Sequence, residues 1–269
     1  MNISQIAGSL SRKNGLNFEN TIYHILKTNP LIVNNIINKY TNINTNLIQK
    51  ISIIPVNQIT PINIDYLKDF YKDLNNPFNI KFEIPKDNKR AADIVILYQY
   101  QNDFFNIGID TKKSKSNMTQ LVRKSYQLLQ EYITEEEYYY LFKYLKYENK
   151  KRIWKDDNKN DIYMIHICNI LKKIKNIWIQ ERFDDNTLYH NHMLLSSNDK
   201  TLDFIILDKL LNYIDNEYCV LKKTNFVFQH KNINLIGIKP HGSKKWTDLQ
   251  LTIYKKAFYF NHICFSIEI

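Results

Sequence analysis

Asp110 and Lys112 stand two residues apart in "NIGIDTKKSK" (106–115), at the end of an apolar run. Side chains alternate along a strand, so both emerge on one face, beside Gly108 and with Thr111 turned away. A second apolar run, "DIVILYQY", begins at Asp93. If the two strands are neighbours, Asp93 lies opposite the Asp110 end of its partner. Two converging carboxylates repel each other unless they are protonated or bridged by a cation. Mg2+ suits that bridge, because it takes oxygen ligands and keeps waters that a substrate phosphate can displace. In this reading Asp93 and Asp110, helped by the backbone carbonyl of Thr111, hold a metal that polarises a phosphodiester and lowers the pKa of a bound water. Lys112 orients or deprotonates that water and offsets the charge growing on the phosphorus oxygens. A carboxylate so close keeps the lysine charged, which favours positioning over proton abstraction. Glu19, upstream, is a further candidate that reaches the metal directly or through water.

The elements around these residues follow from periodicity. Residues 16–28 put Phe18, Ile22, Ile25 and Leu26 on one helical stripe that ends before Pro30, with Glu19 on its flank. The stretch "RAADIVILYQYQ" reads as a strand buried on both faces. "NDF" offers a turn, and "FFNIGIDTK" is the next strand. Met118, Leu121, Val122 and Leu129 keep a 3.6-residue period, which predicts a helix to about residue 133. A helix is also predicted within "NIDYLKDFYKDL", and another within "EEEYYYLFKYLKYE". "IYMIHICNILKKIKNIWI" reads as helix or strand, "KTLDFIILDKLLNYI" as helical or mixed, and residues 232–260 as strand, basic loop, strand. The order helix, strand, strand, helix predicts an α/β fold with a central mixed sheet flanked by helices. With no repeat and no obvious linker, residues 1–269 read as a single domain.

Charge narrows the partner. The chain has 37 basic and 27 acidic residues, a net charge of +10. Eight lysines fall between Lys222 and Lys256 against one acid, Asp248, and five basic residues with no acid lie between Thr111 and Lys124. Such fields favour a polyanion, since neutralised phosphates release condensed counterions. A lysine-rich surface with no such partner has the same composition. Hydrophobic residues make up 44% of the chain, enough for a core, which excludes disorder as the main state. Cys168, Cys219 and Cys264 lie too far apart in sequence for a disulfide framework or a thiolate zinc set. No sustained apolar segment suggests a signal peptide or a membrane span, so a soluble protein of a reducing compartment is expected. His190 and His192 in "HNHM" lack further ligands at zinc spacing. Asp87 and Asp103 fall in turns, where structural use is the expectation.

Asp93, sixteen intervening residues, then Asp110-Thr111-Lys112 resembles the PD-(D/E)xK nuclease motif. Glu19 matches the glutamate on the N-terminal helix of that superfamily, and Ala92 replaces its usual proline. The resemblance implies a restriction-endonuclease-like core over about 15–135, with Asp93, Asp110, Thr111 and Glu19 at Mg2+ and with Asp93, Asp110, Lys112 and Glu19 catalytic. Size and organisation look most like a type II restriction endonuclease. That implies Mg2+-dependent hydrolysis of double-stranded DNA at a short specific sequence, leaving 5′-phosphates, in a prokaryotic cytoplasm beside a cognate DNA methyltransferase. A two-fold dimer is the simplest match to a palindromic site. Gln120 is followed by Lys124 where exonucleases of the superfamily carry tyrosine, which lowers the exonuclease reading.

DNA-recognition elements are expected within 150–256. "KPHGSKKWTD" offers Lys239, His241, Ser243, Lys244 and Lys245 around Gly242 in a loop able to approach a groove, while Lys113 and Lys115 flank the catalytic strand. Two rivals remain. A repair or recombination nuclease would share the catalytic residues, and a non-catalytic nucleic-acid-binding protein would use Asp110 and Lys112 as a surface pair.

Overall fold

The computed structural model of the chain describes residues 3–55, 92–101, 103–112, 118–155, 161–180, 192–197, 200–214, 219–222, 225–242, 247–260 and 263–269. The chain forms two compact units, the first from 1–113, 182–206 and 265–269, the second from 114–181 and 207–264.

The first unit opens with α1 (Ile3–Thr28) and α2 (Pro30–Thr41). Pro30 cannot continue α1 but suits the first turn of α2, and the Asn29 side chain accepts from the Ile32 amide at 3.3 Å to cap it. Asn42, in the left-handed region at φ 58°, ends α2. The sheet contains β1 (Ile48–Pro55), β2 (Ile94–Tyr100), β3 (Asp103–Thr111), β7 (His192–Ser197), β8 (Thr201–Ile206) and β13 (Cys264–Glu268), in the order β1-β2-β3-β7-β8-β13. β3 pairs antiparallel with β2, from Ile94 opposite Ile109 to Tyr100 opposite Asp103, and parallel with β7. The sheet is therefore mixed, as the sequence predicts. Ile94 to Tyr98 are all buried, which accounts for the unbroken apolar run of β2.

Ile22 and Leu26 of α1 and Ile32, Val33, Ile36 and Ile37 of α2 join Ile94, Ile96, Ile107, Ile109, Met193, Leu195 and Phe204 in one core cluster. Period 2 along β2 and β3 puts these strand residues on one face and leaves Asp110 on the other. The helices thus cover one face of the sheet, and Asp110 lies on the other.

The second unit holds a five-stranded antiparallel sheet in the order β4-β12-β11-β10-β9, built from β4 (Met118–Ser125), β9 (Cys219–Lys222), β10 (Asn225–His230), β11 (Ile233–Gly242) and β12 (Thr247–Tyr254). The remaining elements are α3 (Glu135–Lys143), the hairpin of β5 (Leu145–Glu148) and β6 (Lys151–Trp154), α4 (Asp161–Gln180) and α5 (Leu207–Ile214). A reciprocal capping box of Thr134 and Glu137 starts α3. Trp154 is buried as a core anchor, its indole N–H donating to the Ile238 carbonyl at 3.4 Å.

Two local expectations are corrected. The helix predicted from Met118 to about residue 133 is instead β4 followed by a 3-10 turn, Tyr126–Glu131. The apolar spacing fits either element, and a distant partner decides: β4 runs antiparallel to β12, from Met118 opposite Tyr254 to Ser125 opposite Asp248. The loop expected around Lys239 is also shorter, because β11 continues to Gly242 and carries Lys239, Pro240 and His241. A proline is tolerated there because the pairing of β10 with β11 stops at Ile238. The helix expected in "NIDYLKDFYKDL" lies outside the described residues.

Phe204 is fully buried and stacks on Phe265 with ring centroids 4.9 Å apart. Phe204→Ala should lower unfolding free energy by about 3–5 kcal/mol in urea or thermal denaturation, and Phe204→Leu by distinctly less.

Candidate active site

The regular pairing of β2 with β3 begins at Ile94, and Asp93 stands one residue before it. Its amide donates to the Ile109 carbonyl at 2.8 Å. Its carboxylate then continues the ladder in place of backbone: Oδ2 accepts from the Thr111 amide at 2.7 Å and from the Thr111 hydroxyl at 3.0 Å. The amide of Thr111 thereby gains an acceptor inside the fold, which a buried donor requires. Strand alternation turns the Thr111 side chain away from Asp110, and Asp93, just past the end of the ladder, meets it.

Asp110 is 3% exposed, and Lys112 donates from Nζ to Asp110 Oδ1. The Lys112 side chain is 31% exposed, so the ammonium reaches out from a buried carboxylate. Its backbone amide donates to the Leu195 carbonyl at 2.8 Å, fixing the residue against β7. Gly108, also on this face, is buried. Glu19 is half-buried on α1, one turn before the core residue Ile22.

Electrostatics tie these groups together. Burial pushes the Asp93 carboxyl up to about 7, helped by repulsion from Asp110 and from Glu19, against the lowering effects of the Lys112 ammonium and the Thr111 amide. Burial and crowded negative charge both favour a proton or a cation at Asp93. Asp93 and Asp110 offer hard oxygen donors of the kind Mg2+ takes one or two of, with water filling its other positions. Among the described residues, no group of three or more His, Cys, Asp or Glu side chains is assembled to hold a metal ion.

The structure thus brings Asp93, Thr111, Asp110 and Lys112 together and puts Glu19 within electrostatic range of Asp93. Lys113, Lys115, Asp87 and His190 lie outside the described residues. Lys239 and His241 occupy one face of β11, half-buried and exposed respectively, with Gln250 and Asp248 opposite them on β12. Ser243, Lys244 and Lys245 lie outside the described residues. Sequence reading missed the Thr111 hydroxyl as a partner of Asp93, and no signal in strand alternation could have found it. The backing of Lys112 by Leu195 was equally hidden, because β7 is distant in sequence.

The first unit is an α/β fold, a mixed sheet with helices packed on it. A crystal structure of restriction endonuclease MspI in complex with its cognate DNA is similar to this chain, with a TM-score of 0.54 and 11% sequence identity over 94% of this chain and 93% of that one. At that identity the likeness is one of fold. No protein-family model matches the chain, and no curated protein matches it either.

The raised Asp93 carboxyl has a consequence for the metal-free protein. An acid whose folded pKa exceeds its unfolded value, here about 7 against about 4, binds more protons when folded, so stability falls as pH rises through that window. Asp93→Asn removes the charge and keeps an oxygen acceptor for Thr111. At pH 8 it should stabilise the metal-free protein by roughly 1–3 kcal/mol in urea unfolding, a gain that shrinks as pH falls toward 4.

Proposed function

We propose that this protein is a Mg2+-dependent type II restriction endonuclease that hydrolyses double-stranded DNA at a short specific sequence and leaves 5′-phosphates. The observation that carries the reading is the convergence of Asp93, Asp110 and Lys112 at one end of the β2–β3 pair, in a sheet of restriction-endonuclease type. Asp93 and Asp110, with the Thr111 carbonyl, would hold the metal, and Glu19 would reach it directly or through water. The metal would supply Lewis acidity toward the phosphodiester and a more acidic bound water.

The chain's own groups do the rest. Thr111 holds one oxygen of Asp93 with two hydrogen bonds, which orients the carboxylate. Lys112, kept charged by Asp110, orients the attacking water and stabilises the charge that develops on the phosphoryl oxygens. As the water oxygen bonds to phosphorus, the bond to the 3′ oxygen breaks and the phosphate stays on the 5′ side. Lys113, Lys115, Lys239, His241, Ser243, Lys244 and Lys245 would engage the DNA, the lysines chiefly through phosphates. MspI, the protein of similar fold, is described with its cognate DNA, and that supports duplex DNA as the substrate here. A homodimer on a palindromic site, a partner DNA methyltransferase and a cytoplasmic location belong to the same proposal. Among the described residues no helix is long and apolar enough to cross a membrane.

A non-catalytic nucleic-acid-binding role is the second reading, in which Asp110 and Lys112 serve only as an ion pair with each other. Digestion of unmethylated plasmid and bacteriophage DNA separates the two. Mg2+ should yield discrete bands, EDTA should abolish them, and Asp110→Ala and Lys112→Ala should each lower the cleavage rate by at least about 100-fold. Smearing, or cleavage confined to branched DNA, would replace sequence specificity with a repair or recombination role. Tight DNA binding without cleavage would favour the non-catalytic reading.

A further inference from the structure

Cys168 and Cys219 are separated by 51 positions in sequence and meet in the second unit, where the Cys168 thiol donates to the Cys219 carbonyl at 3.1 Å. Cys168 lies on α4, and Cys219 opens β9, the edge strand of the sheet. Both residues are partly exposed to solvent. We propose that Cys168 and Cys219 are a reversible oxidation site, closing to an intrachain disulfide when the protein meets a peroxide.

The surroundings suit the reaction. On α4, Lys172 and Lys175 follow Cys168 at spacings of four and seven, which keeps all three on one side of the helix. Lys175 is buried, its ammonium 5.0 Å from the centre of the Phe228 ring, and Phe228 stands opposite Cys219 in the sheet. Cations beside a thiol favour the thiolate, the form that attacks. The hydrogen bond to Cys168, followed by burial and the charge of that neighbour, raises the Cys219 thiol above its ordinary range, against the pull of Lys175 and Lys172. Cys168, whose thiol reaches the β9 backbone from α4, takes the first step. Its thiolate attacks one peroxide oxygen, the O–O bond breaks, and the departing oxygen takes up protons as water, leaving a sulfenic acid. The Cys219 sulfur then attacks the Cys168 sulfur, the S–O bond breaks, and a second water leaves as the S–S bond forms. Two thiols and one hydrogen peroxide give one disulfide and two waters, and a dithiol reductant reverses the change. Cys264 has its own contact, donating to the Ala257 carbonyl at 2.9 Å, and takes no part.

Full-length protein should be treated with hydrogen peroxide, quenched and denatured, then assayed by thiol titration and non-reducing peptide mass mapping. The three thiols of the reduced chain should fall to one. A single cross-linked peptide pair should contain Cys168 and Cys219, and dithiothreitol should restore all three. Cys264→Ser should still form the cross-link, whereas Cys168→Ser and Cys219→Ser should not. Oxidised wild-type protein should also melt several degrees above reduced protein, a readout that does not depend on the serine variants folding. Unchanged thiols, separate over-oxidation of each cysteine, or disulfides only between chains would each overturn the assignment.

Discussion

Where the backbone ladder between β2 and β3 ends, the Asp93 side chain continues it. By taking the amide and hydroxyl protons of Thr111, this carboxylate fixes both its own position and the path of the strand that carries Asp110 and Lys112. An acid is held in a partly buried place where its charge is costly, and its pKa rises accordingly. The hydrogen bonds to Thr111 offset part of that cost, and a cation would offset more. Stability is spent here on geometry, a pattern found at sites of chemistry.

The rest of the first unit keeps that end of the sheet in place. β3 is held on both edges, by β2 running antiparallel and β7 running parallel, and the Leu195 carbonyl takes the Lys112 amide just past the strand. Below the sheet, α1 and α2 press Ile22, Leu26, Ile36 and Ile37 into the aliphatic face. Glu19, one helical turn before Ile22, is within electrostatic range of Asp93. The helix-covered face of the sheet holds the aliphatic cluster, and Asp110 lies on the opposite face.

Much of this arrangement was legible in the chain. β2 and β3 declare themselves because a strand covered on both sides needs an almost unbroken apolar run, and the Asp110 and Lys112 pair follows from strand period alone. α1 is visible in the stripe through Ile22 and Leu26, and Pro30 marks its end. What escaped depends on distant partners. Met118 to Ser125 has helix-compatible spacing and becomes a strand only because β12 lies beside it. β7, β8 and β13 complete the sheet from far beyond the motif, and the meeting of Cys168 with Cys219 is invisible in their spacing. The bond from Thr111 to Asp93 escapes the alternation rule because it forms just past the end of the ladder.

A divalent cation held by the acids at the end of the β2–β3 pair would couple folding to that ion. Thermal unfolding of DNA-free protein at pH 8, followed across a Mg2+ titration, tests it most directly. Cation binding there gives a saturable rise in melting temperature for the wild type that is lost in Asp110→Asn. A wild-type melting temperature that does not respond to Mg2+, or a response that survives in Asp110→Asn, would contradict it.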